Sequence, residues 1–384
     1  MRFVCGPRQA GKTTLARQWL ESRKPEGLYY LWDLRSVRNR YKENELFFTA
    51  DAPGVPDGWV CFDEIHKMPK WKNILKAAFD ATGGRYRFIV TGSAKLNLLK
   101  RAGDSLAGRY FTFHLFPLML SELVGNGRKQ EMPGDAADFI EQRLSAASVG
   151  RDALDSLLAY GGFPEPFLRQ SRAFYAKWGV DYIETVVRED IGSLTRIVDR
   201  EHIHDLYALL PEAVGSPVSE ASLAGHLQVS PVTAKNYLRR IEDFYLGFSV
   251  APYSRNIKRS LLKARKFYLF DWARIKDPGK RFEDFVACQL RAMVSLWGDA
   301  TGSQFGLNYV RNKQKQETDF LIIRDDRPWL LVEAKLSDAQ AERHHESTSA
   351  ALGGVPVAQV CREPGVAAMQ SRRVYRLSAD RLLG

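Results

Sequence analysis

The feature that most constrains the fold of this chain is a glycine-containing segment near its amino terminus. Residues 6–13 read GPRQAGKT, directly after the apolar run FVC and directly before the helix-like stretch TLARQWLES. A strand, a GxxxxGK loop followed by Ser or Thr, and a helix in this order are the setting of a phosphate-binding loop. Its glycines let backbone N–H groups surround phosphate oxygens, and the helix directs its positive end toward them. The segment therefore predicts a nucleotide-binding α/β domain.

Each position of this loop has a predicted task on bound ATP. Lys12 is expected to reach the terminal phosphates, and the Thr13 hydroxyl is expected to ligate Mg²⁺. The nucleotide would be contacted by Gly6, Pro7, Arg8, Gln9, Ala10, Gly11, Lys12, Thr13 and Thr14. ATP and Mg²⁺ are therefore the predicted cofactors.

Two later segments have the form that would complete such a site. The apolar run WVCF ends in Asp63 and Glu64, where Asp63 would hold Mg²⁺ and Glu64 would polarise the attacking water. The run RFIVTGS ends in Thr91, Gly92 and Ser93, where a polar side chain would lie beside the water that attacks the γ-phosphate. Downstream, Arg101 and Arg109 are candidates for stabilising the transition state, although a loop arginine is more often a solvated surface charge.

The chain is too long for one hydrophobic core, since 384 residues exceed what a single core usually supports. Over residues 1–125 the apolar runs RFVC, LYYLWDL, WVCFDE, RFIVTGS and YFTFHL alternate with amphipathic stretches. This alternation predicts a parallel sheet with helices between its strands. Residues 126–216 are predicted to be helical, residues 217–255 have a helix-turn-helix spacing, and residues 256–384 mix strands and helices.

The helix-turn-helix is indicated by PVSEASLAGHLQVSPVTAKNYLRRIEDFYL. The buried face of its second helix would hold Val232, Tyr237, Leu238 and Ile241. The exposed face would present Ser230, Thr233, Lys235, Asn236, Arg239 and Arg240. Basic residues continue where a wing would lie, at Arg255, Lys258, Arg259, Lys263, Arg265 and Lys266. Such a surface suits DNA, but a winged helix beside an ATPase also serves as a lid or protein contact, and both roles stay open.

Composition agrees with an anionic partner inside the cell. The net charge is +11 and the isoelectric point is near 9.4, which favours nucleic acid or nucleotide before membrane. The four cysteines are far apart and lack zinc-binding spacing, which predicts buried thiols in a reducing cytoplasm. The sequence has no apolar run of about 18 residues, so a membrane-spanning segment is not expected.

A second candidate centre lies in the stretch ETDFLIIRDDRPWLLVEAK, at residues 317–335. A turn at RDDRP would fold it into a hairpin that brings Asp319 close to Glu333 and Lys335. Carboxylates hold Mg²⁺, and a lysine orients water or stabilises a phosphate, as in metal-dependent nucleases. Glu283, in the helix-like RFEDFVACQL, would add a third carboxylate. Charged residues at strand ends are also ordinary surface features, so the pattern alone does not choose between the two interpretations.

Several segments of the chain occur together in one protein family. They are GPRQAGKTTLARQ, CFDEIHKMPKWKNILKAAFD, IVTGSAKLNLL, SLAGRYFTFHLFPLMLSE, YGGFPEPFL, RFEDFVACQL, NYVRNKQKQETDFLI and LLVEAK. In these segments the chain resembles the prokaryotic AAA-type ATP-binding proteins whose carboxy-terminal domain of unknown function has a restriction-endonuclease-like core. Members normally carry a few dozen residues before the first strand, whereas here Met1 opens that strand, so the resemblance assigns adenine recognition to no residue of this sequence.

Together with the patterns described above, the resemblance leads to a predicted α/β fold in four parts. These are an AAA+ P-loop core at residues 1–125, a helical lid at 126–216, a winged helix-turn-helix at 217–255 and a PD-(D/E)xK nuclease-like α/β domain at 256–384.

The same resemblance implies roles for single residues. It makes residues 6–13 the Walker A motif, Asp63 and Glu64 the Walker B motif, Ser93 the sensor and Arg109 an arginine finger, which would require a homo-oligomer. Two functions follow and stay open. The chain is either an ATPase acting on or near DNA, with a Mg²⁺-dependent nuclease domain using Glu283, Asp319, Glu333 and Lys335, or a nucleotide-dependent signalling or scaffold switch that binds partner proteins without cutting.

Overall fold

The computed structural model describes residues 1–23, 27–51, 58–68, 70–92, 106, 108–125, 134–192, 197–254 and 264–384. The predicted residues Ser93, Arg101, Arg255, Lys258, Arg259 and Lys263 lie outside them. The chain divides into two units, one of Met1–Phe116 with Asp243–Tyr245 and one of Pro117–Glu242 with Leu246–Gly384.

The first unit is built on a five-stranded parallel sheet. Its strands are β1 (Arg2–Cys5), β2 (Leu28–Leu31), β3 (Trp59–Asp63), β4 (Arg87–Thr91) and β5 (Phe111–His114). They lie in the order β2-β3-β4-β1-β5. Central strands of such a sheet are apolar along their whole length because both faces are covered, and every residue of β3 is buried. The five strands predicted from the apolar runs are confirmed.

Helices cover both faces of this sheet. They are α1 (Lys12–Glu21), α2 (Arg35–Glu43), α3 (Phe48–Asp51) and α4 (Trp71–Ala81), with a 3₁₀ turn at Ile65–Lys67. On one face Ala16 and Leu20 of α1 pack against Cys61 and Ile89. Side chains alternate along a strand, so the neighbouring residue Phe62 points to the other face. There it meets a second cluster that includes the fully buried Phe48.

The second unit begins with helices, as its sequence predicts. They are α5 (Leu120–Val124), α6 (Ala136–Ser145), α7 (Arg151–Tyr160), α8 (Pro164–Arg169), α9 (Arg172–Thr185), a π-helical turn at Val186–Ile191, α10 (Ile197–Ala213), α11 (Glu220–Leu227) and α12 (Pro231–Asp243).

Helices α11 and α12 lie where the helix-turn-helix is predicted. The Ser219 hydroxyl accepts the Ser222 N–H at the start of α11, and Gln228 ends that helix in the left-handed region with φ 53°. The buried row of α12 is Ala234, Tyr237 and Ile241. The prediction that Val232 is buried is wrong, because Val232 lies off this row in the first turn and is 69% exposed.

An eight-stranded sheet fills the rest of the second unit. Its strands are β6 (Gly247–Pro252), β7 (Lys266–Leu269), β8 (Phe305–Arg311), β9 (Glu317–Arg324), β10 (Arg327–Lys335), β11 (Val357–Cys361), β12 (Ala367–Ser371) and β13 (Val374–Ser378). The remaining helices are α13 (Pro278–Thr301), α14 (His344–Ala351) and α15 (Ala379–Leu383), with a 3₁₀ turn at Trp272–Arg274. The order in the sheet is β12-β13-β11-β10-β9-β8-β6-β7, so β7 is an edge strand.

The element order from α13 to β11 positions the second candidate centre. Strands β8, β9 and β10 form an antiparallel meander, and β11 is parallel to β10 after the intervening helix α14. The predicted hairpin of β9 and β10 is confirmed, and its turn places Asp325 and Asp326 at φ 48° and 62°. Helix α13 begins at Pro278, with the Asp277 carboxylate accepting the Lys280 N–H, and it directs Glu283 toward the strands.

Two further expectations concern cysteines and membranes. Cys5, Cys61, Cys288 and Cys361 are all buried free thiols, as predicted. Within the described ranges no helix is long and apolar enough to cross a membrane.

Candidate functional site

The phosphate-loop site, formed by residues 6–13 and the carboxyl ends of β3 and β4, depends on an unusual backbone path. Gly6 follows β1 at φ 154°, and a Cβ there would lie 1.9 Å from the Leu115 carbonyl oxygen. Gln9 and Gly11 also have positive φ, at 61° and 95°. The Lys12 ammonium donates to the carbonyl oxygens of Gly6 at 3.1 Å and Pro7 at 2.5 Å. The loop therefore closes around the side chain predicted to meet phosphate.

Asp63, at the end of β3, accepts hydrogen bonds from side chains of three neighbouring elements, α1, β2 and β4. Its Oδ2 accepts the Thr13 hydroxyl at 2.8 Å and the Tyr29 hydroxyl at 2.5 Å, and its Oδ1 accepts the Thr91 hydroxyl. The carboxylate is 1% exposed, so these hydroxyls replace water as its hydrogen-bond donors. Burial and the Asp63 contact raise the pKa of Tyr29. The structure thus brings the predicted Mg²⁺ ligands Thr13 and Asp63 together.

The sequence did not single out Tyr29, whereas it named Thr91 among the polar residues that end the RFIVTGS strand. Thr91 is the last residue of the strand beside β3, and its hydroxyl contacts Asp63. Tyr29 lies in the middle of β2, where a tyrosine is ordinary, and nothing local marks its contact with Asp63.

Glu64, the predicted catalytic base, directly follows β3. It has a left-handed backbone, with φ 58°, and its N–H donates to the Thr91 carbonyl at 3.2 Å. Burial raises the pKa of its carboxyl, while Lys67, whose Nζ lies 3.6 Å from Oε2, acts in the opposite direction. Lys67 is also held by Asp33 at 2.6 Å. A partly desolvated carboxylate at a strand end can orient and deprotonate water.

Arg109 lies at the other end of the same sheet. Its carbonyl accepts the amino group of Met1 at 2.7 Å, and its guanidinium makes a two-point ion pair with Asp80, at 3.0 and 3.2 Å. Five residues of extended chain from Met1 to Gly6 span roughly 16 Å. Arg109 is therefore separated from the phosphate loop of its own chain.

The second candidate centre is a carboxylate–lysine cluster, which we define as Lys266, Glu283, Glu317, Asp319, Glu333 and Lys335. The cluster includes the four predicted residues: Asp319, Glu333 and Lys335, which the hairpin was expected to bring together, and Glu283 from the preceding helix. Lys266 is an addition, since the sequence placed it on a wing. It is 1% exposed, and its Nζ lies 2.6 Å from Glu317, 3.2 Å from Glu283 and 3.2 Å from Asp319.

Other carboxylate oxygens in the cluster also contact protein donors. Asp319 and Glu333 lie opposite each other on β9 and β10, where the Asp319 N–H donates to Glu333 Oε2 at 3.2 Å and the Ala334 N–H donates to Asp319 Oδ2 at 3.1 Å. Lys335 Nζ lies 2.9 Å from Glu333 Oε1. The Tyr268 hydroxyl donates to Glu283 Oε1 at 2.8 Å.

The electrostatics of the cluster follow from burial and from the crowding of carboxylates. Burial and the nearby Asp319 raise the pKa of Glu333 to about 8, and burial also raises the pKa of Glu283. Asp319, Glu283 and Glu317 raise the pKa of Lys266 against the effect of its burial. Lys266 is therefore a buried cation held by acids from α13 and β9.

We tested whether the cluster fits the predicted metal. Among the described residues, no group of three His, Cys, Asp or Glu side chains is arranged to hold a metal ion. The predicted ligands Glu283 and Asp319 instead face the Lys266 ammonium, and Glu333 faces Lys335. In this arrangement the cluster does not fit Mg²⁺.

Two histidines beside the cluster were not predicted. His345 is fully buried, with Nδ1 3.0 Å from the Thr318 hydroxyl and Nε2 4.0 Å from Glu333 Oε2. His344 Nε2 lies 2.8 Å from the Glu317 carbonyl oxygen. They lie in α14, whose pattern gave no sign that it packs here.

The predicted nucleic-acid face of α12 is exposed at Lys235, Asn236 and Arg239. Lys235 is paired with Glu220 at 3.2 Å. A surface cavity of about 570 Å³ lies beside this face and is also lined by Arg265. The Arg265 guanidinium donates to the Ser249 hydroxyl at 3.2 Å. The winged character of the motif stays a prediction, as does the four-part domain division.

Comparisons with known proteins found two matching family models and two similar curated proteins. Residues 1–124 match the family described as an AAA domain, which supports an AAA-type, nucleotide-dependent domain there. Residues 151–273 match a domain of unknown function (DUF8612). Uncharacterized proteins of Mycobacterium tuberculosis and Mycobacterium bovis are each 27% identical over 342 residues, which is 85% of this chain and 68% of theirs.

Solved structures show only distant likenesses. A structure of katanin described for its self-assembly is 14% identical over 62% of this chain and 71% of its own, with a TM-score of 0.25. A DNA polymerase III gamma subunit-related protein of Thermotoga maritima is 13% identical over 63% and 94%, with a TM-score of 0.27. The DNA clamp loader delta protein of Bacillus subtilis is 10% identical over 63% and 84%, with a TM-score of 0.23. At these TM-scores the likenesses carry no weight for function.

Proposed function

We propose that this protein hydrolyses ATP in the presence of Mg²⁺ at the phosphate-loop site. The observation that carries the proposal is the contact of the Thr13 hydroxyl with the buried Asp63 carboxylate, in a loop whose carbonyl oxygens hold the Lys12 ammonium. A hydroxyl and a carboxylate are the oxygen donors that Mg²⁺ takes in such sites. Thr13 and Asp63 would thus hold Mg²⁺, which neutralises phosphate charge when it is bound.

The chain's own groups have distinct tasks in this proposal. Lys12 binds the terminal phosphates once its ammonium turns from the loop carbonyls toward them. Glu64 accepts the proton of the attacking water, and its partial burial favours this by raising the pKa of its carboxyl. Thr91 and Tyr29 position Asp63 through their hydroxyls. Ser93 stays the predicted sensor.

The test separates nucleotide binding from hydrolysis. Lys12→Ala should weaken nucleotide affinity, whereas Glu64→Gln should keep affinity and lower kcat by roughly 10²- to 10⁴-fold, the usual effect of losing a general base. Glu43→Gln, on the exposed face of α2, is the matched control and should behave as the parent. The measurements are titration with a fluorescent nucleotide and steady-state phosphate release. Parental turnover by Glu64→Gln would refute the role of Glu64.

A second function is favoured by the exposed face of α12. Lys235, Asn236 and Arg239 project beside a cavity that Arg265 also lines, on a chain with a net charge of +11. We propose that this face binds DNA phosphates, so that log K should fall by about 0.9 per phosphate contact against log salt.

The experiment for this second function compares two variants, each of which lacks two positive charges. Replacing Arg239 and Arg240 by Ala should flatten the salt dependence of DNA binding. Replacing Arg35 and Lys42, which are exposed on α2, removes the same charge and should leave the slope unchanged. Equal losses in both variants would show that net charge, rather than this face, drives binding.

The arrangement of the carboxylate–lysine cluster favours a function in which the carboxy-terminal domain does not cut nucleic acid. The order α13-β8-β9-β10-α14-β11 and the meeting of Asp319, Glu333 and Lys335 support a restriction-endonuclease-like domain. Because the acids face lysines, we propose that the domain acts as a partner-binding part of a nucleotide-dependent switch. The parent protein with Mn²⁺, ATP and single- or double-stranded DNA should hydrolyse ATP and leave the DNA intact. Metal-dependent cutting that Asp319→Ala abolishes would restore the nuclease hypothesis.

A further inference from the structure

We infer that Lys266 is the built-in cation of the carboxylate–lysine cluster, and that its ammonium keeps divalent metal ions out of the site formed by Glu283, Asp319 and Glu333. Glu283, Asp319 and Glu333 suit a metal by residue type, whereas their arrangement against Lys266 and Lys335 does not. It does not depend on ATP hydrolysis or DNA binding.

The position of Lys266 is the first argument. Its Nζ touches carboxylates from α13 and from both ends of the Glu317–Asp319 segment, at 2.6 to 3.2 Å. Glu283 and Asp319 are the residues that a metal would have to bridge. Because Mg²⁺ requires oxygen ligands at about 2.1 Å, it could not share these oxygens with an ammonium group at the same point. Two cations a few ångströms apart would also repel each other.

The other oxygens of the cluster give the second argument. Asp319 Oδ2 accepts a backbone N–H from β10, and Glu333 uses one oxygen for Lys335 and the other for a backbone N–H from β9. Glu283 Oε2 lies against Gly215, where a Cβ would approach it to 2.7 Å. Five of the six carboxylate oxygens of Glu283, Asp319 and Glu333 therefore already face a protein donor, and a metal would have to displace several of these donors.

The backbone around Lys266 gives the third argument, because it holds the side chain in place. Lys266 pairs with Val250 across β6 and β7, and it forms an isolated bridge with Pro217 on its other side. The neighbouring Arg265 carbonyl accepts the Val218 N–H at 2.8 Å. Unlike a lysine on a surface loop, this one enters the cluster from a strand fixed on both sides. Removing one partner of a buried ion pair leaves the other charge uncompensated, so the acids would need a new cation.

The experiment measures Mn²⁺ binding to the nucleotide-free, full-length protein by electron paramagnetic resonance of free Mn²⁺. Lys266→Met, which keeps the length of the side chain and removes its charge, should bind one additional Mn²⁺ per chain. The double variant with Asp319→Asn should lose that ion. Lys313→Met, at an exposed position near the start of β9, is the matched control and should bind as the parent does.

Two results of the Mn²⁺ measurement would contradict the proposed role of Lys266. The inference is overturned if folded Lys266→Met, checked by circular dichroism and thermal melting, gains no Mn²⁺. It is also overturned if the parent already binds an Mn²⁺ that Asp319→Asn or Glu283→Gln removes. Should Lys266→Met fail to fold, the second comparison decides by itself, since equal Mn²⁺ binding by the parent and both acid variants supports a site closed by Lys266.

Discussion

Replacing Gly6 by alanine tests whether the backbone path of the phosphate loop is required for function. The new Cβ would lie 1.9 Å from the Leu115 carbonyl oxygen, whereas real Cβ contacts are essentially never shorter than 3.0 Å. The two groups must therefore separate by roughly 1 Å. Leu115 has little freedom to withdraw, because its N–H donates to the Cys5 carbonyl at 2.8 Å, next to the clash. The displacement therefore falls on the loop that carries Lys12.

We expect a large catalytic effect from this displacement. A misplacement of about 1 Å commonly costs on the order of 10²-fold in rate, because phosphate and catalytic groups lose their alignment. The assays are nucleotide titration and single-turnover phosphate release. Gly84→Ala is the control: its φ is 76° with nothing within 4 Å of a Cβ, so it should cost about 1 kcal/mol of stability and no activity. Gly6→Ala with rate and affinity within about threefold of the parent would refute the reasoning.

Two further predictions concern assembly and pH. If Arg109 acts on the nucleotide of a neighbouring chain, turnover per chain should rise with protein concentration. Mixing Arg109→Ala chains with Lys12→Ala chains should then restore part of the activity. Concentration-independent turnover by a monomer would exclude this role. Burial raises the pKa of Asp271 to about 6 from an ordinary value of 3.8, while Arg274 opposes the shift and the Tyr175 hydroxyl donates to its carboxylate. The folded state then binds more protons than the unfolded state between these values, so the free energy of unfolding should fall by about 3 kcal/mol as pH rises from about 3 to about 7. Asp271→Asn should flatten this dependence in urea titrations at several pH values, and an unchanged profile would contradict it.

The first unit was largely predictable from the sequence because its decisive signals are local. A phosphate loop needs a strand, a short glycine-containing turn and a helix in direct succession, and all three occur within the first 21 residues. The five strands were recognisable because central parallel strands are apolar throughout. Asp63 and Glu64 were found for the same reason, since they follow such a strand directly. The β9–β10 hairpin was equally local, with its turn residues between two apolar runs.

Contacts between distant segments were decided only by the tertiary structure. Tyr29 reaches Asp63 because β2 lies beside β3. The sequences of the two strands do not indicate that they are neighbours in the sheet. The predicted boundary between residues 255 and 256 falls between β6 and β7, which pair with each other in the carboxy-terminal sheet.

Lys266 shows the limit most clearly. Its position next to a basic segment indicated an exposed wing, yet it is buried against acids that lie 17 and 53 residues further along the chain. Sequence patterns report periodicity and turn chemistry over a few residues, whereas the charge that a buried acid faces depends on which strand the sheet places beside it. The sequence alone therefore determined that acids and a lysine meet at the end of the hairpin. Only the folded sheet determined that a second lysine, Lys266, occupies the position between Glu283 and Asp319 where a metal ion was expected.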